Sequence, residues 1–165
     1  MHPDFRFATQ GDIPALVELI NAAFSVEKFF KYGERTDVAD LAGHLRSGQF
    51  LVLELGSQLA GSVYLEVRRQ ASGQPSGYLG MLAVAPSLQK QGIGTRLMTA
   101  GDEYFRQQGC NSVEITVVDL RTELPPLYAR YGYAITGTAP FPKDLPVRLP
   151  CSFVVMSKQL GSHAI

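Results

Sequence analysis

Cysteine, histidine and net charge are all in short supply in this sequence. The two cysteines, Cys110 and Cys151, stand alone, which excludes a disulfide framework and a cysteine-based metal cluster. The histidines (His2, His44 and His163) are equally scattered, so no metal is expected. Fifteen basic residues balance fifteen acidic ones. With no global field, neither nucleic acid nor an anionic membrane is an expected partner. No apolar run approaches the roughly 20 residues that cross a bilayer. The opening, Met1-His2-Pro3-Asp4-Phe5-Arg6, lacks the basic-then-apolar plan of a secretory signal. A reduced, cytoplasmic setting is the expectation. Repeats and low-complexity tracts are missing as well.

What remains is an ordinary globular composition. A chain of 165 residues, 45% apolar, suits one domain spanning residues 1–165 with a single proper core. Residues 5–9 suggest a first strand. Asp12 is placed to cap a helix with Pro14 in its first turn, and Leu16, Val17, Ile20, Ala23 and Phe24 follow at helical spacing. Residues 26–36 are less regular, and 37–46 suggest a second helix ending at Gly48. Residues 50–55 and 59–68 form a hairpin pattern around Gly56-Ser57-Gln58. Residues 70–77 are small and polar and predict an exposed loop. A third apolar run, 78–84, stops at Pro86.

Residues 95–108 predict a helix with Leu97, Met98, Gly101, Tyr104 and Phe105 on one face and Gly109 as its stop. Residues 113–118 predict a strand, 123–131 a short helix, and 133–136 and 152–156 two closing strands. The loop between these last two contains Pro140, Pro142, Pro146 and Pro150. Such alternation argues for an α/β protein whose mixed sheet carries helices on both faces.

The most informative segment is Tyr78-Leu79-Gly80-Met81-Leu82-Ala83-Val84-Ala85-Pro86, followed by Gln89-Lys90-Gln91-Gly92-Ile93-Gly94-Thr95. A buried strand runs into a turn with alternate glycines, and a helix starts at once. Every helix opens with about four unpaired N–H groups and roughly half a positive charge. Glycines at 92 and 94 let an anion's oxygens approach those donors. A dinucleotide fingerprint is excluded because its third glycine would fall at Leu97. A P-loop is excluded because Gly94 meets Thr95 with no lysine between.

This segment resembles the signature of the GNAT superfamily of N-acetyltransferases, Gln/Arg-x-x-Gly-x-Gly/Ala at the head of a helix. Gln89, Gly92 and Gly94 fill its fixed places. Leu82-Ala83-Val84-Ala85-Pro86 matches the family's pantetheine-bearing strand. Leu127-Tyr128-Ala129-Arg130-Tyr131-Gly132-Tyr133 is similar to its Tyr-x-x-x-Gly-Phe/Tyr element. The resemblance implies a GNAT acyl-CoA N-acyltransferase fold, with a mixed, mostly antiparallel sheet of about six to seven strands. It also implies acetyl-CoA as acetyl donor, held at Leu82, Ala83, Val84, Gln89, Lys90, Gln91, Gly92, Ile93, Gly94 and Thr95. Backbone groups of Leu82 and Val84 would pair with pantetheine, and the N–H groups of Gln91 through Thr95 would hold the pyrophosphate. Lys90 either adds charge to a phosphate or is a solvated loop lysine. The strand carrying Leu82 and the strand at 113–118 are expected to splay apart.

Acetyl transfer to an amine needs a neutral amine, a stabilised carbonyl oxygen and a neutralised leaving thiolate. The resemblance places the general acid at Tyr128 and the oxyanion donor at a backbone N–H near Leu82. The base is Glu66 or Glu114, each of which is equally well explained as a strand glutamate facing solvent. Many relatives have asparagine seven places before the tyrosine, where this sequence has Arg121. Arg121-Thr122-Glu123-Leu124, with Pro140-Phe141-Pro142 downstream, is similar to a subgroup of the superfamily with a proline-rich loop. Arg121 grips a substrate carboxylate or a cofactor phosphate, or else belongs to a surface cluster with Asp119 and Glu123.

The acceptor should be chosen by residues 26–36 and 138–150. Phe24, Phe29, Phe30 and Tyr32 are candidates for an apolar pocket, while Lys28, Lys31 and Lys143 set no clear charge preference. A small amine, an amino acid and a protein amine are all compatible, and a homodimer is left open. The competing reading is a CoA-binding sensor or regulatory module that keeps the fold without turnover.

Overall fold

The structure, a computed structural model, describes residues 4–161; Met1, His2, Pro3 and His163 lie outside them. Seven strands form one sheet: β1 (Phe5–Phe7), β2 (Gln49–Leu55), β3 (Gln58–Arg69), β4 (Pro75–Val84), β5 (Ser112–Val118), β6 (Ala134–Pro140) and β7 (Ser152–Gln159). Their spatial order is β1-β2-β3-β4-β5-β7-β6. Every neighbouring pair is antiparallel except β4 and β5, which run parallel. The helices are α1 (Ile13–Ala23), α2 (Val38–Ser47), α3 (Ile93–Gln107) and α4 (Leu124–Ala129). This is the mixed, mostly antiparallel α/β sheet that the sequence predicts, with elements in the expected order.

Strand alternation divides the core into two layers. Phe50, Val52 and Tyr64 face α1 and α2, where Leu16, Ile20 and Leu41 are fully buried. Leu51, Leu53, Val63 and Leu65 face the opposite way, against Leu97 and Phe105 of α3. A strand buried on both faces needs apolar residues at every position, which is why β2 and β3 read as nearly continuous apolar runs. Gly77 lets α3 come close, since a Cβ there would sit 2.6 Å from Phe105 Cγ.

Among the boundaries that differ from expectation, three have a clear physical reason. Residues 75–77 belong to β4 rather than to the preceding loop, because proline is tolerated as the first residue of a strand. β6 runs on to Pro140 instead of stopping at 136. It lies at the sheet edge and pairs only with β7, so a missing N–H can face away from the ladder. α3 starts two residues before the predicted Thr95, because Gly92, with φ 82°, reverses the chain and caps it. α2 is capped by the Asp37 carboxylate, which accepts from the Asp40 N–H at 2.8 Å, whereas Asp12, the expected cap of α1, turns its carboxylate to Arg6 and the Thr9 N–H instead.

Candidate active site

Two irregularities in β4 shape the site. Opposite Val63 of β3 stand both Met81 and Leu82, a β-bulge in which Met81 takes a left-handed φ of 50°. The extra residue flips the strand's alternation. Leu79 faces α3, yet Met81 and Ala83 pack with α1 and α2, while Leu82 and Val84 turn toward the α3 side. The second irregularity is early separation from β5. Only Gly77–Val113 and Tyr78–Glu114 pair across the two parallel strands. Beyond them β4 stays with β3 and β5 stays with β7, so a wedge opens between Leu79–Val84 and Ile115–Val118. The hydroxyls of Tyr78 and Thr116 share a hydrogen bond of 3.2 Å at its apex.

The wedge is the floor of a cleft of about 560 Å³. One wall is the chain after α1, from Phe24 to Arg35. The other includes Arg121, Leu124 and Tyr128, with Phe141, Pro142, Leu145 and Pro146 of the proline-rich loop. The two acceptor segments expected from sequence meet here. Lys31 and Val147 form a β-bridge, and the Arg148 N–H donates to the Phe30 carbonyl at 2.6 Å.

At the far end of β4 the chain enters the glycine turn. Lys90 and Gly92 both take left-handed conformations, with φ 65° and 82°. The first N–H to enter the α3 ladder is that of Arg96, which donates to the Gly92 carbonyl at 3.1 Å. The N–H groups of Ile93, Gly94 and Thr95 precede it and find no acceptor among the described residues. A Cβ at Gly92 would meet nothing within 4 Å, so open space lies in front of the turn. A Cβ at Gly94 would lie 3.8 Å from Val84 Cγ2 and 4.0 Å from Leu82 Cδ2, both of them cleft-lining residues. Three bare donors, a helix terminus and an unfilled space make a fitting cradle for a phosphate group.

The predicted site residues divide clearly. Leu82, Val84 and Gln89 line the cleft, and Gln89 Nε2 donates to the Val84 carbonyl at 3.3 Å, tying the turn to the strand. The side chains of Ala83 and Ile93 are buried in the two core layers, so these residues face the cleft side through their backbones alone. Lys90 and Gln91 are exposed. Thr95 Oγ1 shares a 2.6 Å hydrogen bond with the Tyr131 hydroxyl, which joins the start of α3 to the chain after α4.

Tyr128 lines the cleft, half-buried, with its ring edge-on to Tyr133 and its hydroxyl bonded to no described residue. Burial pushes its pKa up to about 12, against the pull of the Arg121 cation. Phe24 and Tyr32 line the cleft as expected, but Phe30 is a core residue, and Phe29 is exposed and stacks edge-on to Phe30.

Neither predicted base faces the cleft. The Glu66 carboxylate is held by the Tyr64 hydroxyl at 2.6 Å and by Arg68, beside a separate shallow hollow with His44. Burial raises its pKa, and those two donors outweigh burial and hold it below the usual range. Glu114 is exposed, pairs with Tyr78 at the closed end of the wedge and does not line the cleft. Arg121 does join Glu123, as the charge-cluster reading expects, but Asp119 instead accepts from the Ser152 N–H at 3.1 Å. The more buried partner of Arg121 was not foreseen. Glu27, 6% exposed, meets it at 3.0 Å inside the cleft. No local motif marks Glu27; only the chain's return across the cleft brings it to Arg121.

The model of the acetyltransferase (GNAT) family matches residues 13–133, more than half of the chain. The chain belongs to the GNAT acetyltransferase family. No curated protein matches it by sequence. Solved structures superpose over nearly its whole length. A protein from Streptococcus mutans gives a TM-score of 0.76 at 20% identity, covering 95% of this chain and 99% of its own. The ribosomal-protein-alanine N-acetyltransferase of Brucella melitensis gives 0.73 at 22% identity, covering 94% and 99%. The Salmonella typhimurium protein yncA, solved with its cofactor acetyl-CoA, gives 0.70 at 20% identity, covering 98% and 95%. At such identities the likeness to these structures shows a shared fold. Among the described residues no three metal-ligating side chains come together, and no helix is long and apolar enough to cross a membrane.

Proposed function

We propose that the protein moves the acetyl group of acetyl-CoA to a primary amine by direct attack within the cleft. The observation that carries this reading is the bare N-terminus of α3, standing in open space beside the β4–β5 wedge. The N–H groups of Ile93, Gly94 and Thr95, with those of Gln91 and Gly92, would hold a diphosphate, and Lys90 would add charge from outside. Backbone groups of Leu82 and Val84 would take the pantetheine arm. The bound cofactor supplies an activated acetyl group.

The bulge at Met81 turns the Leu82 side chain toward the cleft, and the Leu82 N–H is the assigned donor to the carbonyl oxygen as it gains charge. Tyr128 is the assigned donor to the departing sulfur. With its pKa near 12 and a thiol near 8.5, full proton transfer would be uphill by roughly 5 kcal/mol. Tyr128 therefore acts chiefly as a hydrogen-bond donor that stays protonated throughout the working pH range. Because Glu66 and Glu114 stand outside the cleft, Glu27 is paired with Arg121 and Glu34 with Lys28, no carboxylate is assigned as base. The amine then reacts as its neutral fraction, on the order of one part in a thousand at pH 7 for an amine of pKa near 10.

Release of CoA, followed with the full chain over a panel of small amines, amino acids and peptides, tests the proposal. At least one amine should give turnover, with a rate rising nearly tenfold per pH unit below the amine's own pKa. Tight acetyl-CoA binding with no turnover on any amine would instead support a regulatory module.

A further inference from the structure

Six charged side chains line the cleft: Glu27, Lys31, Glu34, Arg35, Arg68 and Arg121. Most are already paired. Arg121 is held by Glu27 and Glu123, Arg68 by Glu66, and Glu34 by Lys28 at 2.9 Å. Two cations remain. Lys31 is only 8% exposed, and its ammonium reaches no carboxylate among the described residues, only the Glu34 backbone carbonyl at 3.2 Å. Arg35 is half-buried over the Phe24 ring, 5.3 Å from its centroid, and also lacks a carboxylate partner among the described residues.

Burying an ammonium without a counter-charge is costly, and a like charge four residues away adds to the cost. Both effects are visible in the Lys31 pKa, which burial and then Arg35 push down against the pull of Glu27 and Glu34. An anion bound in the cleft they both line would offset both penalties. Lys31 lines the same cleft as Tyr128, one turn beyond Glu27, whose carbonyl accepts from the Lys31 N–H at 3.3 Å and whose carboxylate holds Arg121. The cradle for phosphate stands elsewhere, at the start of α3.

We propose that Lys31 and Arg35 form an anion subsite for the acceptor, so that the amine acetylated is a small molecule that also carries a carboxylate. An amino acid is the simplest such compound. Size follows from the burial of Lys31: its partner must enter a cleft of about 560 Å³ that also takes the end of the cofactor. This inference rests on the proposed acetyl transfer and names the acceptor class for it.

The test compares alanine, methionine and phenylalanine with the amine that each gives on decarboxylation, using CoA release by the full chain and by Lys31→Met and Arg35→Gln. The wild type should favour the amino acid in each matched pair by at least tenfold in kcat/KM. Each substitution should raise the amino-acid KM about tenfold, leave the acetyl-CoA KM unchanged and erase the preference. Equal use of both members of each pair overturns the inference while acetyl transfer stands. A raised KM for acetyl-CoA overturns it too, because the cations would then serve the cofactor. If no amine is acetylated, transfer itself fails, and calorimetric titration of the three amino acids into acetyl-CoA-loaded protein decides the subsite separately. Binding that is lost in Arg35→Gln supports it, and absence of binding overturns it.

Discussion

Tyr128 carries the sharpest expectation at the scale of single residues. Its hydroxyl faces the cleft without a protein partner, and burial keeps it protonated. Removing the hydroxyl takes away one donor to a developing thiolate and little else. Tyr128→Phe should lower kcat by about 10- to 100-fold, as expected for a hydrogen bond of roughly 1.5–3 kcal/mol to a charged group. The acetyl-CoA Kd should change by less than about twofold. Steady-state kinetics with calorimetric binding checks both, and an unchanged kcat would remove Tyr128 from the mechanism. Gly92, Gly94 and Tyr128 were legible in the sequence because each belongs to a short motif with fixed spacing. Glu27 was not, since its partner Arg121 lies across the cleft, 94 positions away; nor was Lys31, whose burial leaves no mark in the local sequence.

β4 is the element on which the site depends most. Its parallel pairing with β5 lasts only through Gly77 and Tyr78, and Gly77 also receives the Phe105 ring of α3. A methyl group at that position would overlap the ring and force the helix or the strand to shift. Gly77→Ala should therefore destabilise the fold by about 1–3 kcal/mol in urea unfolding, the usual cost of overpacking. It should also weaken acetyl-CoA binding, because the wedge opens from this point; unchanged stability would show that α3 does not depend on the contact. The strand itself was evident from its apolar run, but its bulge was not. Methionine carries no signal for a left-handed φ, and a change of face within a run apolar at every position leaves no trace in the pattern.

For the whole molecule, the order of strands and helices was readable because apolar periodicity switches cleanly between elements and glycine or proline marks most of the ends. The pairing of those strands was not readable from periodicity alone. One long-range link illustrates this: Arg6 of β1 is held by both oxygens of Asp12 at 2.8 Å and by Glu54 of β2 at 2.7 Å. The Arg6 hydrogen bond holds the Asp12 carboxyl well below the usual carboxylate range. A depressed pKa gives stability that is present above the unfolded value and is lost as pH falls below about 4. Asp12→Asn should lower the stability by about 1 kcal/mol at pH 7, in line with a partly exposed pair. The difference from wild type should shrink as the pH drops from 4 toward 2. Melting temperatures across that range check it, and a gap that stays constant would contradict the assigned pKa.

The most direct test of the account is a titration of the ¹⁵N-labelled full chain with coenzyme A, following backbone amide resonances. Saturable shifts should be largest at Ile93, Gly94 and Thr95, the donors that open α3. Coenzyme A that leaves those three amides unmoved at millimolar concentration would contradict the assignment of this helix terminus as the phosphate cradle.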